Sequence, residues 1–163
     1  MVSQPLEEMN RLGLAPATTS YSDRGHERIV HFQDWTVDGQ PLRTLVGARP
    51  PQEMTPLSED AFWPRVAVDH LRQLLGERPG EFADGRLALL VCPIDADLGC
   101  SALSMRLSLG EGVVTWTELG NQVNYEPFDP TELRLGLEFH FDRGSYEAMV
   151  RLTLARFAPL AGQ

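Results

Sequence analysis

The chain has 163 residues, 42% of them hydrophobic and 23% charged, a composition typical of globular proteins. A chain of this length buries roughly two thirds of its unfolded surface, so it needs neither a disulfide nor a metal to fold. The net charge of −9 argues against binding to nucleic acid or to an anionic membrane through a positive field. All 14 basic residues are Arg, which excludes lysine Schiff-base chemistry.

The N-terminal segment, residues 1–16, has neither the basic stretch nor the apolar core of a secretory signal peptide. No apolar run approaches the ~20 residues that a membrane-spanning helix needs. We therefore expect a cytoplasmic protein of one domain, residues 1–163, in which Cys92 and Cys100 are thiols.

Residues 1–26 show no clear periodicity. Residues 5–13 are compatible with a short helix ended by Gly13, and residues 15–20 are typical of a loop. We expect this N-terminal arm to be mobile in part, or to be held at a subunit contact.

A strand and a tight turn are predicted next. Residues 28–37 are rich in apolar side chains. The apolar residues shift from even-numbered to odd-numbered positions halfway along, which indicates a bulge near Gln33. Asp38-Gly39 favours a hairpin because both turn positions tolerate positive φ. Residues 40–47 are predicted to be the returning strand.

A proline-bearing connector, residues 49–56, precedes a predicted helix. Apolar residues then recur at helical spacing, and Gly76 is the expected stop. Ser58 could cap the start, but Pro64 removes an interior donor. The regular helix therefore either begins near Trp63 or is kinked there.

Three strands follow in close succession. Residues 86–92 are nearly all apolar, which predicts a strand covered on both faces. Residues 103–109 alternate between apolar and polar, as a half-buried strand does. Residues 113–119 are predicted to pair back across a Gly-Glu-Gly turn.

The end of the chain predicts one more strand and a helix. Residues 121–133 are irregular, and residues 133–141 alternate as a last strand. Asp142 is expected to cap a final helix. Its inner face would comprise Tyr146, Met149, Val150, Thr153 and Phe157.

The predicted order is β-β-α-β-β-β-β-α. Few helices and many hairpins are typical of an α+β domain. We predict a largely antiparallel sheet of about six strands with the helices packed mainly on one face.

The best candidate for chemistry is the loop that joins the predicted strands 86–92 and 103–109. It holds two thiols and two carboxylates, Cys92, Asp95, Asp97 and Cys100. These groups could bind a divalent cation, although zinc sites normally space their cysteines by ~2–4 residues. A redox pair is a second interpretation, and a nucleophile is a third, which would need a nearby base. Otherwise Cys92 is a buried core thiol and Cys100 a small residue that starts a strand.

Residues 90–102, with Arg106 and the Val-Thr-Trp motif at 114–116, resemble a family of small uncharacterised bacterial proteins. That family carries a CxxCGDLGC- or CxCGxxGC-like loop before a V-x-W strand. Residues 139–146 are also similar, so the resemblance covers roughly the C-terminal half.

The loop departs from the family pattern at two positions. Asp95 stands where the middle Cys would be, and Ala96 where the Gly would be. The resemblance implies a related fold. If the family's cysteines bind a metal, this chain has lost one ligand. Proteins of this kind are sometimes described as oxidoreductases, and small acidic domains also occur as immunity proteins.

A polar and aromatic rim is predicted near the end of the strand 113–119, a composition that suits a partner contact. Its candidate members are Trp116, Glu118, Asn121, Asn124, Tyr125 and His140. The other histidines show no metal-ligand spacing, and His70 is expected to be solvent-exposed.

Two functions fit these observations. The first is a non-catalytic binding module, as immunity proteins are, with a protein partner that is basic or is a second copy of the chain. The alternative is a redox-active or metal-binding protein, or an oxidoreductase, that uses the Cys92–Cys100 loop. No catalytic residue, metal ligand or cofactor is assigned, because nucleotide-binding and hydrolase motifs are absent from the sequence.

Overall fold

The computed structural model describes residues 8–48 and 50–162, which form a mixed α+β fold. The strands are β1 (Leu12–Asp23), β2 (His26–Val37), β3 (Gln40–Pro41), β4 (Leu87–Leu90), β5 (Ala102–Leu109), β6 (Val113–Gln122) and β7 (Phe139–Asp142). The α-helices are α1 (Leu42–Val46), α2 (Pro64–Leu74) and α3 (Arg143–Ala161), and short 3-10 helices span Leu98–Cys100 and Pro130–Glu132. No helix in these residues is long and apolar enough to span a bilayer.

The seven strands pair in antiparallel fashion, which confirms the predicted class. They form two sheets rather than one, with the orders β1-β2-β3 and β4-β5-β6-β7. Asn10 links the two, because its N–H donates to His140 O at 2.7 Å and it pairs with Phe141 in β7.

Residues 12–23 of the N-terminal arm form the strand β1, so the predicted loop over 15–20 is wrong, as is the predicted helix within 8–13. Residues 1–7 of that arm lie outside the described residues. β1 pairs with β2 along its whole length. Pro16 fits because its nitrogen is on the outer side of an edge strand, where no ladder bond is lost. Thr18, two residues on, also turns its carbonyl outward, to Arg43 Nη1.

The register between β1 and β2 is unbroken, so the bulge predicted near Gln33 is wrong. The apolar pattern of β2 changes because residues 34–37 are buried on both faces of the strand, whereas the earlier residues are buried on one face only. The Asp38-Gly39 hairpin is confirmed, with φ of 53° and 81°.

The predicted returning strand over 40–47 is wrong beyond Pro41. Residues 42–46 form α1 instead, which ends at Gly47 in the left-handed conformation with φ 58°. Leu42 and Val46, four residues apart, are its buried residues. That i, i+4 spacing is the signal for a helix.

The interpretation that the second helix begins near Trp63 is confirmed. Trp63 is the N-cap of α2, and Pro64 takes the first helical position, where its missing N–H leaves no bond unmade. Ser58 caps the preceding turn instead, because its Oγ accepts the N–H of Ala61 at 3.1 Å. The predicted stop at Gly76 is confirmed, with φ 75°.

The main core is formed by the four-stranded sheet and helices α2 and α3, together with the end of β2 and helix α1. Trp116 is at its centre and donates its Nε1–H to Tyr146 OH at 3.2 Å, while that hydroxyl donates to Leu74 O at 2.8 Å. Asp142 caps α3 as predicted, accepting the N–H of Ser145 at 2.9 Å. The predicted inner face is buried at Tyr146, Val150, Thr153 and Phe157, and partly buried at Met149.

One strand of this sheet contains a bulge that sequence patterns did not predict. Ser104 pairs with Gly120, but Arg106 pairs with Thr117, so β6 has one residue more than β5 at this point. Glu118 takes up the extra residue with φ 54°. Position 120 requires a glycine, because a Cβ there would lie 2.8 Å from the carbonyl oxygen of Glu132.

The last predicted strand is shorter than expected. Only Phe139–Asp142 forms a ladder with β6. Leu133 makes a single antiparallel bridge to Gly120, and residues 134–138 are irregular. Leu135, which the alternation placed on the buried face, is 90% exposed.

Candidate functional site

The loop of residues 92–100 leaves the central sheet after β4 and returns to it at β5. Its two aspartates fold it back on itself. Asp95 Oδ1 accepts the N–H of Asp97, and Asp97 Oδ1 accepts the N–H of Gly99, both at 2.9 Å. Ala96 between them has φ 59°, a conformation that favours Gly. The loop is therefore a compact turn that brings its two ends together.

Three side chains converge in this turn. The Sγ atoms of Cys92 and Cys100 and a carboxylate oxygen of Asp95 all lie within 4.8 Å of one another. Cys92 is half-buried, and the other two residues are exposed. In a tetrahedral zinc site, Zn–S bonds of ~2.3 Å and a Zn–O bond of ~2.0 Å place the ligand atoms about 3.5–3.8 Å apart. Side-chain movements of about 1 Å would therefore close this set around an ion.

Asp97 lies beside this set rather than within it. Its Oδ2 is 4.0 Å from Cys100 Sγ, and its Oδ1 is engaged by the Gly99 backbone. The pKa of Cys100 is raised, chiefly by Cys92, then by desolvation, with contributions from Asp97 and Asp95. A catalytic cysteine nucleophile is normally activated by a lowered pKa, so the raised pKa of Cys100 argues against fast nucleophilic catalysis at this loop. The small thiolate fraction that remains still allows slow exchange with disulfides.

Part of the predicted rim lies next to the loop. Asn121 donates its Nδ2–H to Ser101 Oγ at 3.1 Å. Asn124 Oδ1 approaches Gly99, since a Cβ on that glycine would be 3.6 Å away. Tyr125 follows and is 73% exposed. The exit of β6 and the cysteine loop therefore form one continuous surface.

The other rim residues lie elsewhere. Trp116 is fully buried in the core, so its assignment to a surface rim is wrong. Glu118 pairs with Arg106, with 3.6 Å between Oε2 and Nε. His140 lies across from Thr115 on β6, and its Nε2 is 3.1 Å from Glu138 Oε1.

A buried cation that the sequence gave no reason to select lies at the start of β4. The Arg86 side chain is fully buried, and its Nε–H donates to Ser104 Oγ at 2.9 Å and to Gln122 Oε1 at 3.1 Å. Its Nη2 donates to the carbonyl oxygens of Ser104, at 3.2 Å, and Glu118. The Phe128 ring covers it, with 3.8 Å between the guanidinium carbon and the ring centroid. Arg86 therefore ties β4, β5 and the bulge of β6 together.

His70 is buried, so the expectation that it faces solvent is wrong. Its Nε2 accepts the Nε1–H of Trp35 at 3.1 Å, which places the proton of the neutral ring on Nδ1. Burial lowers the pKa of His70 to about 3. The side chain is thus a neutral part of the packing between α2 and β2.

Comparison of the chain with protein-family models, with curated proteins and with solved structures gave no match. The resemblance of residues 90–102 to a bacterial family stays a prediction.

Proposed function

We propose that this protein binds a thiophilic divalent cation, with Zn²⁺ as the best fit, through Cys92, Asp95 and Cys100. The convergence of their three ligand atoms within 4.8 Å carries the proposal. Zn²⁺ accepts thiolate sulfur and carboxylate oxygen together, whereas Mg²⁺ and Ca²⁺ are bound by oxygen alone. The loop supplies two sulfurs and one oxygen, so its chemistry favours zinc.

Three protein ligands leave the fourth position of a tetrahedral ion to water or to another small ligand. Closed structural zinc sites use four protein ligands, whereas sites with an open position exchange the fourth. The large core between the sheet and helices α2 and α3 packs without any contribution from the loop. The proposed ion is therefore bound by a protein that is already folded.

Asp95→Asn should weaken Zn²⁺ binding by more than about 100-fold, beyond the ~10–100-fold that typically follows loss of a group that only orients a ligand. Asparagine keeps the oxygen that accepts the Asp97 N–H, so the turn is retained while the anionic ligand is lost. Competition against a chromophoric chelator measures the affinity.

Asp97→Asn is the matched control, since it removes an equal charge from the same turn and keeps the hydrogen bond to Gly99. It should change the affinity by less than 10-fold, or about 1.4 kcal/mol. Equal losses in the two variants would show that the loop attracts cations only by its charge. Absence of Zn²⁺ binding to the reduced wild-type protein would exclude the metal site altogether.

We also propose a second function, the binding of a basic protein partner without catalysis, as immunity proteins do. The surface beside the loop supports it. Ile94 and Tyr125 are 56% and 73% exposed. Ser101 and three acidic residues, Glu126, Asp129 and Glu132, help to line a small cleft of about 120 Å³ there. Such a cleft holds about four waters, or the end of one side chain. An arginine of the partner fits it by charge, with Tyr125 as its aromatic neighbour.

Tyr125→Ala should reduce binding of such a partner by about 10-fold or more, because exposed aromatic anchors dominate interfaces. Leu135→Ala is the control, since Leu135 is 90% exposed on the segment before β7. Capture from the source lysate at low salt, followed by titration of each variant, measures the effect. Recovery of no stoichiometric partner at low ionic strength would count against this function.

A further inference from the structure

We propose that Cys92 and Cys100 also act as a reversible dithiol, which exchanges with a low-molecular-weight disulfide such as glutathione disulfide. This activity belongs to the site of the proposed metal function. It uses the two sulfur atoms alone, so it does not require Asp95 or an ion. The metal and the disulfide are alternative states of the same two side chains.

The geometry of the turn supports a disulfide. The two Sγ atoms are already within 4.8 Å of each other, and a disulfide needs them at about 2 Å. Backbone hydrogen bonds hold both ends of the loop. The Ala96 N–H donates to Cys92 O at 3.0 Å, and the Cys100 N–H donates to Asp97 O at 3.2 Å. In the proposed disulfide, the remaining approach is a movement of the side chains by rotation about χ1, and the backbone turns are kept.

The exposure of the two thiols sets the order of the steps. Cys100 is exposed, whereas Cys92 is half-buried. The Cys100 thiolate attacks one sulfur of the small disulfide and releases one thiolate, which leaves a mixed disulfide on Cys100. The Cys92 thiolate then attacks Cys100 Sγ and releases the second thiolate. The protein loses two electrons and two protons, and the small disulfide is reduced to two thiols.

The two states exclude each other because a zinc ion and a disulfide both use the sulfur electron pairs. Zn²⁺ therefore protects the pair from oxidation, and oxidation releases the ion. At free zinc ten times its dissociation constant, only about one tenth of the protein is metal-free. The oxidation rate should then fall about 10-fold.

The experiment uses the full chain, treated with a chelator and equilibrated with mixtures of reduced and oxidised glutathione. Quenching with an alkylating agent and intact-mass measurement then identify each state. We expect a form about 2 Da lighter that resists alkylation and returns to the dithiol as reduced glutathione increases. A population that carries only glutathione adducts, or that stays fully alkylatable, would overturn the inference.

Two variants separate the disulfide from the metal. Cys92→Ser should accumulate the glutathione adduct on Cys100, because no second thiol resolves it. Asp95→Asn should oxidise as the wild type does but should lose protection at the same zinc concentration. Oxidation of the wild type without any protection by zinc would refute the metal proposal alone. Zinc binding without disulfide formation would refute the exchange alone.

Discussion

Arg86→Leu should lower the free energy of unfolding by about 3 kcal/mol. Leucine removes the cation but leaves the buried carbonyl oxygen of Ser104 and the part-buried carbonyl oxygen of Glu118 without this donor. Each buried acceptor that loses its partner costs about 1–3 kcal/mol. Replacing a buried charge with an apolar side chain is sometimes neutral, but only when the partner groups are also removed. In Arg86→Leu the acceptor groups remain, so the cost of their lost hydrogen bonds exceeds any gain from the apolar side chain. Urea unfolding followed by circular dichroism measures it.

Arg106→Leu is the matched control on the next strand. The Arg106 side chain is 46% exposed and forms a surface pair with Glu118. Such pairs contribute about 0–1 kcal/mol. If Arg86→Leu destabilised the protein no more than this control, the buried guanidinium would have no role in holding the bulge.

His70→Gln should change how stability depends on pH. The pKa of His70 is about 3 in the folded protein, against 6.5 for the unperturbed side chain. Below pH 6.5 the unfolded chain therefore takes up a proton that the folded protein does not, and wild-type stability falls. This difference in protonation lowers the wild-type free energy of unfolding by about 2 kcal/mol at pH 5 and by about 4 kcal/mol at pH 3. Glutamine does not titrate, so the variant lacks this pH-dependent loss of stability.

The measurement is the difference in unfolding free energy between wild type and His70→Gln at each pH. The difference is needed because other groups titrate in the opposite sense. Burial raises the pKa of Asp34 to about 6 from 3.8, so that carboxyl stabilises the folded protein below pH 3.8 and loses its contribution as the pH rises through 6. The pKa of Glu81 is raised by burial as well. Both are present in each protein and cancel in the difference.

The expected wild-type advantage over His70→Gln shrinks by about 2 kcal/mol between pH 7 and pH 5. His26→Gln is the control, because His26 is exposed in the turn end of β2. A constant difference between wild type and His70→Gln over this range would mean that His70 has the same pKa in the folded and unfolded states, so that burial does not lower it.

Local signals in the sequence were sufficient for several elements of this fold. Asp38-Gly39 predicted its hairpin, Gly76 predicted the end of α2, and Asp142 predicted the cap of α3. Each of these signals determines the structure of only a few neighbouring residues, through backbone conformation or one hydrogen bond. The strand β1 was missed because it has no alternation of apolar residues and contains Pro16. The extended conformation of β1 is stabilised by its pairing with β2 rather than by a pattern in its own sequence.

The candidate loop could be located from the sequence, but its geometry could not. The spacing of Cys92 and Cys100 is unusual for zinc, and nothing in the pattern shows that Asp95 turns back to meet them. Arg86 left no sequence signal at all. Its partners, including Ser104 and Gln122, come from strands 18 and 36 residues away along the chain.

The extra residue in β6 changes which residues of this strand face the core. Before Glu118, even-numbered residues such as Trp116 enter the core, and after it the odd-numbered Leu119 does. Deletion of Glu118 would restore a regular ladder and keep both Trp116 and Leu119 in the core, whereas loss of the bulge without loss of a residue would turn Leu119 outward. A relative that lacks the extra residue should therefore show an unbroken alternation of core-facing and outward-facing residues through this strand. A search for distant relatives should allow a one-residue gap at this position.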